Sequence, residues 1–278
     1  MKLFHLYGLA VASEFECPEL TEITPEQAAA RNYETVHLTR ATKPLELPEG
    51  RQYAPWMRAT RDACLYQFAD IARMLVERPD RITVEMLPGA VESDMRAFLF
   101  GTGFGTLVHM RDLIPLHIAA IETPEGVVAF TGPSGSGKST KVAELHFKHG
   151  WPIVCDDVAV LRPNEDEPFL HAGVNRIKLW RDAVERFGLD NESLIVDIAR
   201  ENKFHFTSAN MCSDEPLRLQ KLSVLGYCQE VLDQCALSAG FTVLMNAIYR
   251  PEICRLFNDR RKVVNHLSKV AGNLFVKI

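Results

Sequence analysis

The sequence predicts an α/β fold: a core built on a strand–loop–helix–strand unit, preceded by an N-terminal strand-and-helix module. Three observations predict it. The apolar run Val127-Val-Ala-Phe-Thr131 reads as a buried strand and leads directly into a glycine-rich loop, Gly132 to Ser139. Lys138 to His149 follows as a helix, with Val142 and Leu145 inward and Gly150 at its C-terminal cap. Ile153-Val-Cys155 then returns as a strand that runs through Asp156-Asp157 into Val158-Ala-Val-Leu161.

The remaining elements follow in chain order. Lys2 to Ser13 and Tyr33 to Thr39 look extended, and a first strand accounts for Leu3 to Ala12 better than a signal peptide, because Lys2 alone forms the positive region and His5 and Tyr7 interrupt the apolar run. Arg40 to Pro55, with Pro44, Pro48 and little apolar periodicity, reads as a loop. Leu65, Phe68, Ile71 and Leu75 have helical spacing within Asp62 to Glu77, whereas Ile82, Val84 and Met86 alternate as in a strand ended by Pro88-Gly89. Glu92 to Met110 predicts a helix, with Gly101, Gly103 and Gly105 allowing a neighbour to approach closely. Leu116 to Glu122 and Val127 to Thr131 form a hairpin around Pro124-Glu125-Gly126. Trp180 to Phe187 and Leu189 to Ala199 look helical or mixed, and Leu217 to Tyr227 extended. Gly240 to Arg255 and Arg260 to Leu274 complete the chain as helices, the last with Val263, Leu267, Val270 and Leu274 on one face. The expected division is an N-terminal module over 1–91, a candidate for acceptor binding, and a loop-bearing core over 92–278.

Composition narrows the function classes. Apolar residues make up 47% and charged residues 24% of the chain, the balance of an ordinary globular protein. A net charge of −5 argues against general nucleic-acid binding, which needs a basic surface. No apolar run is long enough for a membrane span. Seven cysteines without a C-x-x-C pair read as reduced, buried thiols in a cytoplasmic protein, with a Cys228–Cys235 disulfide left open.

The chemistry concentrates in one stretch. Gly132-Pro133-Ser134-Gly135-Ser136-Gly137-Lys138-Ser139, followed by Thr140, meets G-x-x-x-x-G-K-[ST] at every defined position. Successive backbone N–H groups can curl around an anion where no Cβ intrudes, and the following helix adds its positive end. Lys138 is placed to reach the β- and γ-phosphates of a nucleoside triphosphate, and the Ser139 hydroxyl to ligate Mg²⁺. ATP and Mg²⁺ are therefore the expected ligands, with GTP not separable from ATP by any motif present. Asp156 and Asp157 offer one acid for the metal and one to accept a proton from an attacking hydroxyl. Both reach the same site only if the strand ends or bends between them. His117, alone in an apolar strand, reads by itself as a core histidine. Arg176 and Lys178 are candidates to clamp a phosphate or a substrate carboxylate, or else belong to a solvated strand face.

Leu116-His117, the hairpin, Gly126 to Thr140, the helix ending at His149-Gly150 and then Asp156-Asp157 resemble the catalytic core of HPr kinase/phosphorylase, whose P-loop kinase core is of the phosphoenolpyruvate carboxykinase-like type. The whole chain is more similar still to the HPr-kinase-related proteins of lasso-peptide biosynthesis, through Leu6-Tyr7-Gly8-Leu9, Leu87-Pro88-Gly89-Ala90, Leu113-Ile-Pro-Leu-His117 and Arg176-Ile-Lys-Leu-Trp-Arg-Asp-Ala183. The resemblance implies an ATP- and Mg²⁺-dependent kinase acting on a serine hydroxyl of a peptide or protein, with the C-terminal serine of a lasso-peptide precursor as the implied acceptor. It makes His117 a functional residue that orients an acid or balances charge, and assigns one aspartate as general base. The expectation is Asp156 as base and Asp157 on Mg²⁺ beside Ser139. Self-association is a further implied property. The segment Ala172-Gly-Val-Asn-Arg-Ile-Lys178 departs from the family's arginine–glycine-rich, glutamate-bearing stretch, so neither HPr itself nor reverse phosphorolysis is implied. A small-molecule kinase and a non-catalytic nucleotide-dependent regulator are the competing readings.

Overall fold

The computed structural model of the chain describes residues 1–162, 167–189, 194–197, 200–208, 215–226, 239–272 and 275–277. The possible Cys228–Cys235 pairing, Cys212 and Leu274 lie outside them. Cys17, Cys64 and Cys155 are buried free thiols and Cys254 is half-buried. No described helix is long and apolar enough to cross a membrane. The protein is mixed α/β with several sheets, and it divides into two compact units. One comprises Met1–Leu113 with Arg250–Asp259, the other Ile114–Tyr249 with Arg260–Ile278. The sequence boundary at 91/92 falls inside the first of these.

The first unit is organised by a nine-stranded sheet. Its strands are β1 (Lys2–Leu6), β2 (Leu9–Ser13), β3 (Thr21–Glu22), β4 (Glu34–Arg40), β5 (Arg51–Ala54), β6 (Met57–Ala59), β7 (Ala63–Phe68), β8 (Ala72–Glu77) and β9 (Arg81–Met86). They lie in the order β3-β1-β2-β4-β9-β8-β7-β6-β5. The single N-terminal strand expected from Leu3 to Ala12 is a hairpin, turned at Tyr7 and Gly8, which both take positive φ (57° and 76°) as a two-residue primed turn demands. Helix α1 (Pro25–Ala30) begins with a capping box between Thr24 and Gln27.

The expected helix over Asp62–Glu77 is instead the β7–β8 hairpin. The alternation Cys64, Tyr66, Phe68 and Ala72, Met74, Val76 is buried, and Leu65 pairs Leu75 across the strands on the other face. The helical spacing of Leu65, Phe68, Ile71 and Leu75 mixes the two faces of that hairpin, with the reversal at Ala69 (φ 41°) in its middle. Part of the expected loop over Arg40–Pro55 is likewise the edge strand β5.

Glu92 to Met110 is helical throughout, as α2 (Glu92–Phe98), a π-helical turn (Leu99–Gly103) and α3 (Phe104–Met110). A Cβ at Gly103 would lie 2.5 Å from the Met74 sulfur, so this glycine does admit a close neighbour. The single helix expected over Gly240–Arg255 is broken: Arg250 has φ 48° and Pro251 opens a new helix, Pro251–Phe257, in the first unit.

The second unit holds β10 (Ile114–Leu116), β11 (Ala119–Thr123), β12 (Gly126–Thr131), β13 (Ile153–Cys155), β14 (Ala159–Leu161), β15 (Phe169–His171), β19 (Leu217–Val224) and β20 (Phe275–Lys277) in one sheet. Its order is β10-β14-β15-β19-β12-β11-β13, with β20 parallel to β19. A second sheet is formed by β16 (Ile177–Trp180), β17 (Ile195–Asp197) and β18 (Arg200–Phe206), with β18 in the middle. Helix α4 (Lys138–His149) packs against both sheets, and α5 (Arg181–Arg186) against the second. Val142 and Ala143 of α4, Ile121 and Phe130 of the large sheet, and Ile177, Leu179 and Phe204 of the small one share one core cluster. Because β12 and β13 both run antiparallel to β11, they are parallel to each other and separated by it.

A histidine–aspartate pair is buried in the small sheet, with His205 Nε2 2.8 Å from Asp197 Oδ2. Burial first, then the positive charges of Arg176 and Lys178, lower the His205 pKa to about 4 against the opposing pull of Asp197. The unfolded chain binds this proton near pH 6.5, so the folded state is favoured above that pH and loses the advantage as pH falls towards 4. Urea denaturation at pH 7 and pH 4.5 is expected to show a loss of up to about 2–3 kcal/mol from this group, reduced in His205→Gln.

Candidate functional site

The loop from Gly132 to Gly137 is fixed by backbone geometry before any side chain acts. Gly132, Gly135 and Gly137 take φ of 141°, 85° and 89°, values that a side chain rarely tolerates. At Gly132 there is also no room, because a Cβ would overlap the Leu225 carbonyl oxygen at the end of β19. The Leu225 N–H in turn donates to the Thr131 carbonyl at 2.8 Å, so β19 braces the loop's entry. Gly226 also comes close, since a Cβ there would sit 3.0 Å from Ser136 Cβ. These two residues were missed in the sequence, where only the loop itself carries a pattern. Gly132→Ala is therefore expected to cost about 1–3 kcal/mol in denaturant unfolding through strain and overlap, independently of any ligand.

Pro133 and Ser134 are exposed, Gly137 caps α4, and Thr140 is half-buried in its first turn. The Ser136 hydroxyl is buried without a hydrogen-bond partner. Lys138 is buried and folds back on the loop, its ammonium donating to the carbonyls of Gly132 (2.9 Å) and Pro133 (3.0 Å). Burial lowers its pKa, against the pull of Asp156 and Asp157.

Strand β13 ends at Cys155, and the two acids follow in a bend where Asp157 has φ 83°. That break gives both carboxylates access to one place, the condition the sequence imposed. Asp156 is buried: Oδ1 accepts from the Ser139 hydroxyl at 2.7 Å and Oδ2 from the Lys178 N–H at 2.7 Å. Its pKa is raised by burial and by the charge of Asp157, more than those hydrogen bonds lower it. Asp157 holds Lys178 Nζ at 3.2 Å on Oδ2 and His117 Nε2 at 3.4 Å on Oδ1. Burial would raise its pKa, yet the Lys178 ammonium, His117 and Lys203 bring it down to about 2. Two adjacent carboxylates are thus driven apart in acidity by their partners.

His117 does not lie within a strand. It occupies the break between β10 and β11, where its N–H donates to the Ala247 carbonyl at 2.6 Å and its carbonyl accepts from the Thr131 hydroxyl at 3.3 Å. Tyr249 packs edge-on against its ring. Burial lowers the His117 pKa; Asp157 opposes this, and Lys138, Lys178 and Lys203 add to it. Lys178 reaches the acids with both its backbone and its ammonium. Arg176 is buried beside His205. Lys203, not singled out in the sequence, bears electrostatically on Lys138, His117 and Asp157 together.

No group of three or more His, Cys, Asp or Glu among the described residues is arranged to hold a metal alone. Mg²⁺ does not need one, since it keeps waters and substrate phosphate oxygens around one or two protein ligands. Ser139 Oγ and Asp156 Oδ1, hard oxygens side by side at the start of α4, fit that requirement.

No family model matches the chain, and no curated protein matches it. Among solved structures, the Hpr(Ser) kinase/phosphatase from Coxiella burnetii is similar over 42% of this chain and 67% of its own, at 19% identity and a TM-score of 0.25. Agreement that slight leaves the functional reading to rest on the site's own geometry.

Proposed function

We propose that the chain is an ATP- and Mg²⁺-dependent kinase that transfers the γ-phosphoryl group to a serine hydroxyl of a peptide or protein. One observation carries the reading: the glycine loop, Lys138, the Ser139–Asp156 contact and the Lys178–Asp157–His117 cluster converge on one place. In this reading the loop's N–H groups and Lys138 bind the phosphates. Ser139 and Asp156 hold Mg²⁺, which when bound offsets the charge of the β- and γ-phosphates. Asp157 accepts the hydroxyl proton as the serine oxygen bonds to phosphorus, while the bond from phosphorus to the β–γ bridging oxygen breaks and ADP leaves. Lys178 and His117 hold Asp157 ionised and in position.

These roles reverse the order expected for the two acids. The Ser139 hydroxyl is engaged by Asp156, which supports the reading with Asp156 on the metal side and Asp157 towards the acceptor. The acceptor itself, the C-terminal serine of a lasso-peptide precursor, is proposed from the sequence resemblance alone. Mass spectrometry of candidate peptides after incubation with Mg·ATP tests it. A single phosphate's mass on a serine-terminated precursor, absent from its Ser→Ala control, supports the reading. Phosphate appearing only on a small metabolite would replace it with a small-molecule kinase, and tight nucleotide binding with no transfer to any acceptor would point to a regulator.

A further inference from the structure

His117 is reached by a stretch of chain far from it in the sequence. On leaving the helix Ala239–Ala247, the chain runs back beside β10, where Leu116 and Ile248 form an antiparallel bridge. The Tyr249 N–H donates to the Pro115 carbonyl at 2.9 Å and the His117 N–H to the Ala247 carbonyl at 2.6 Å, one bond on each side of that bridge. Alternation about the bridge turns Leu116 and Ile248, both buried, to one face and sets His117 and Tyr249 on the other. His117 stands opposite Ala247 and diagonal to Tyr249, a separation that an aromatic ring can span. The two rings do meet, with centroids 6.2 Å apart and planes at 76°.

That contact matters because the backbone of His117 is fixed and its ring is not. The N–H is held by Ala247 and the carbonyl by the Thr131 hydroxyl at 3.3 Å, but neither bond restrains rotation about the side-chain torsions. The side chain is 37% exposed, so part of its surface is open to solvent. Nε2 lies 3.4 Å from Asp157 Oδ1, longer than a well-formed hydrogen bond and too long to lock an imidazole by itself. Lys178 holds the other oxygen of the carboxylate at 3.2 Å, so the imidazole is the less restrained member of the pair. Tyr249 supplies the restraint, because an edge-to-face contact favours one ring orientation over a rotated one. Its own backbone is tied to Pro115 and it is half-buried, so the support does not move with the ring it meets.

We propose that Tyr249 is a positioning residue of this site, its ring the wall that keeps the His117 imidazole turned onto the Asp157 carboxylate. The consequence for catalysis rests on the kinase reading, whereas the contact itself can be measured without any acceptor. The first arm is carbon–proton NMR of the His117 imidazole, assigned by its loss in His117→Gln. Asp157→Asn is introduced into wild type, Tyr249→Phe, Tyr249→Leu and Tyr249→Ala. It is expected to shift the His117 resonance in wild type and Tyr249→Phe, and by less than about half as much in the two variants without the ring. The second arm is single-turnover phosphoryl transfer. Tyr249→Leu should slow it about three- to tenfold with Mg·ATP affinity unchanged, while Tyr249→Phe keeps most of the rate. In His117→Ala, adding Tyr249→Leu should cost less than about twofold more. An equal Asp157 response in every chain, a Tyr249→Phe chain as slow as Tyr249→Leu, or an undiminished loss on the His117→Ala background overturns the proposal and leaves the kinase reading intact. A wild-type chain that transfers phosphate to no acceptor overturns the kinase reading and the catalytic half of the proposal, and the resonance response alone then decides whether Tyr249 holds His117.

Discussion

Lys138→Met is expected to lower kcat by about 100- to 1,000-fold while leaving the fold in place. The side chain is buried against a loop whose carbonyls it bridges, and burial lowers its pKa while Asp156 and Asp157 close by oppose that shift. An oriented, partly desolvated charge acts on the transition state more strongly than one in bulk water. Stability is another matter. The substitution removes two hydrogen bonds to carbonyls of Gly132 and Pro133, in a partly exposed loop where water can replace them, so the unfolding free energy should move by about 1 kcal/mol or less. Single-turnover phosphoryl transfer together with denaturant unfolding of the same variant separates the two effects. Full activity in Lys138→Met would remove the loop from the mechanism altogether.

Asp157→Asn is expected to lower kcat by about 100- to 10,000-fold with little change in nucleotide affinity, because the general base is lost and the loop is not. A carboxylate held near pKa 2 is a weak base in water. It suits a loose transition state all the same, where the acceptor oxygen sheds its proton late, once bonding to phosphorus has made it acidic. Its low pKa also predicts that no activity is lost through Asp157 as pH falls from about 8 to 5, since the group stays ionised throughout. Asp156→Asn should behave differently, raising the Mg²⁺ concentration needed for half-maximal rate, because its carboxylate engages the Ser139 hydroxyl. Kinetics of both variants across Mg²⁺ concentration assign the roles: the opposite pattern would restore Asp156 as base and Asp157 as metal ligand.

The glycine-rich loop was legible because its demand is local. Glycines at positive φ, a lysine and a hydroxyl at fixed offsets, and a helix that starts on them need no distant contact to be recognised. The β9 strand and the C-terminal helix Arg260–Gly272 were legible for the same reason, with Ile82 and Val84 alternating and Val263, Leu267 and Val270 buried on one helical face. The β7–β8 hairpin was not. Its two strands carry apolar residues on both faces, and a two-faced strand pair can imitate a helical period over a dozen residues.

The sequence alone thus laid out the chemistry on offer: a glycine-rich loop, a lysine, a hydroxyl and a pair of acids set at the end of a strand. Which of these groups meet depended on the fold. Residues 117, 138, 157, 178 and 203 are far apart along the chain, and no spacing rule pairs them. The break after β10 brings His117 to Asp157, the bend at Asp157 with its positive φ gives both carboxylates access to one place, and the register of β16 against β18 sets Lys178 and Lys203 on one face. Acidity followed the same logic: two neighbouring aspartates of identical intrinsic chemistry moved in opposite directions because burial acted on both but an ammonium reached only one side chain at close range.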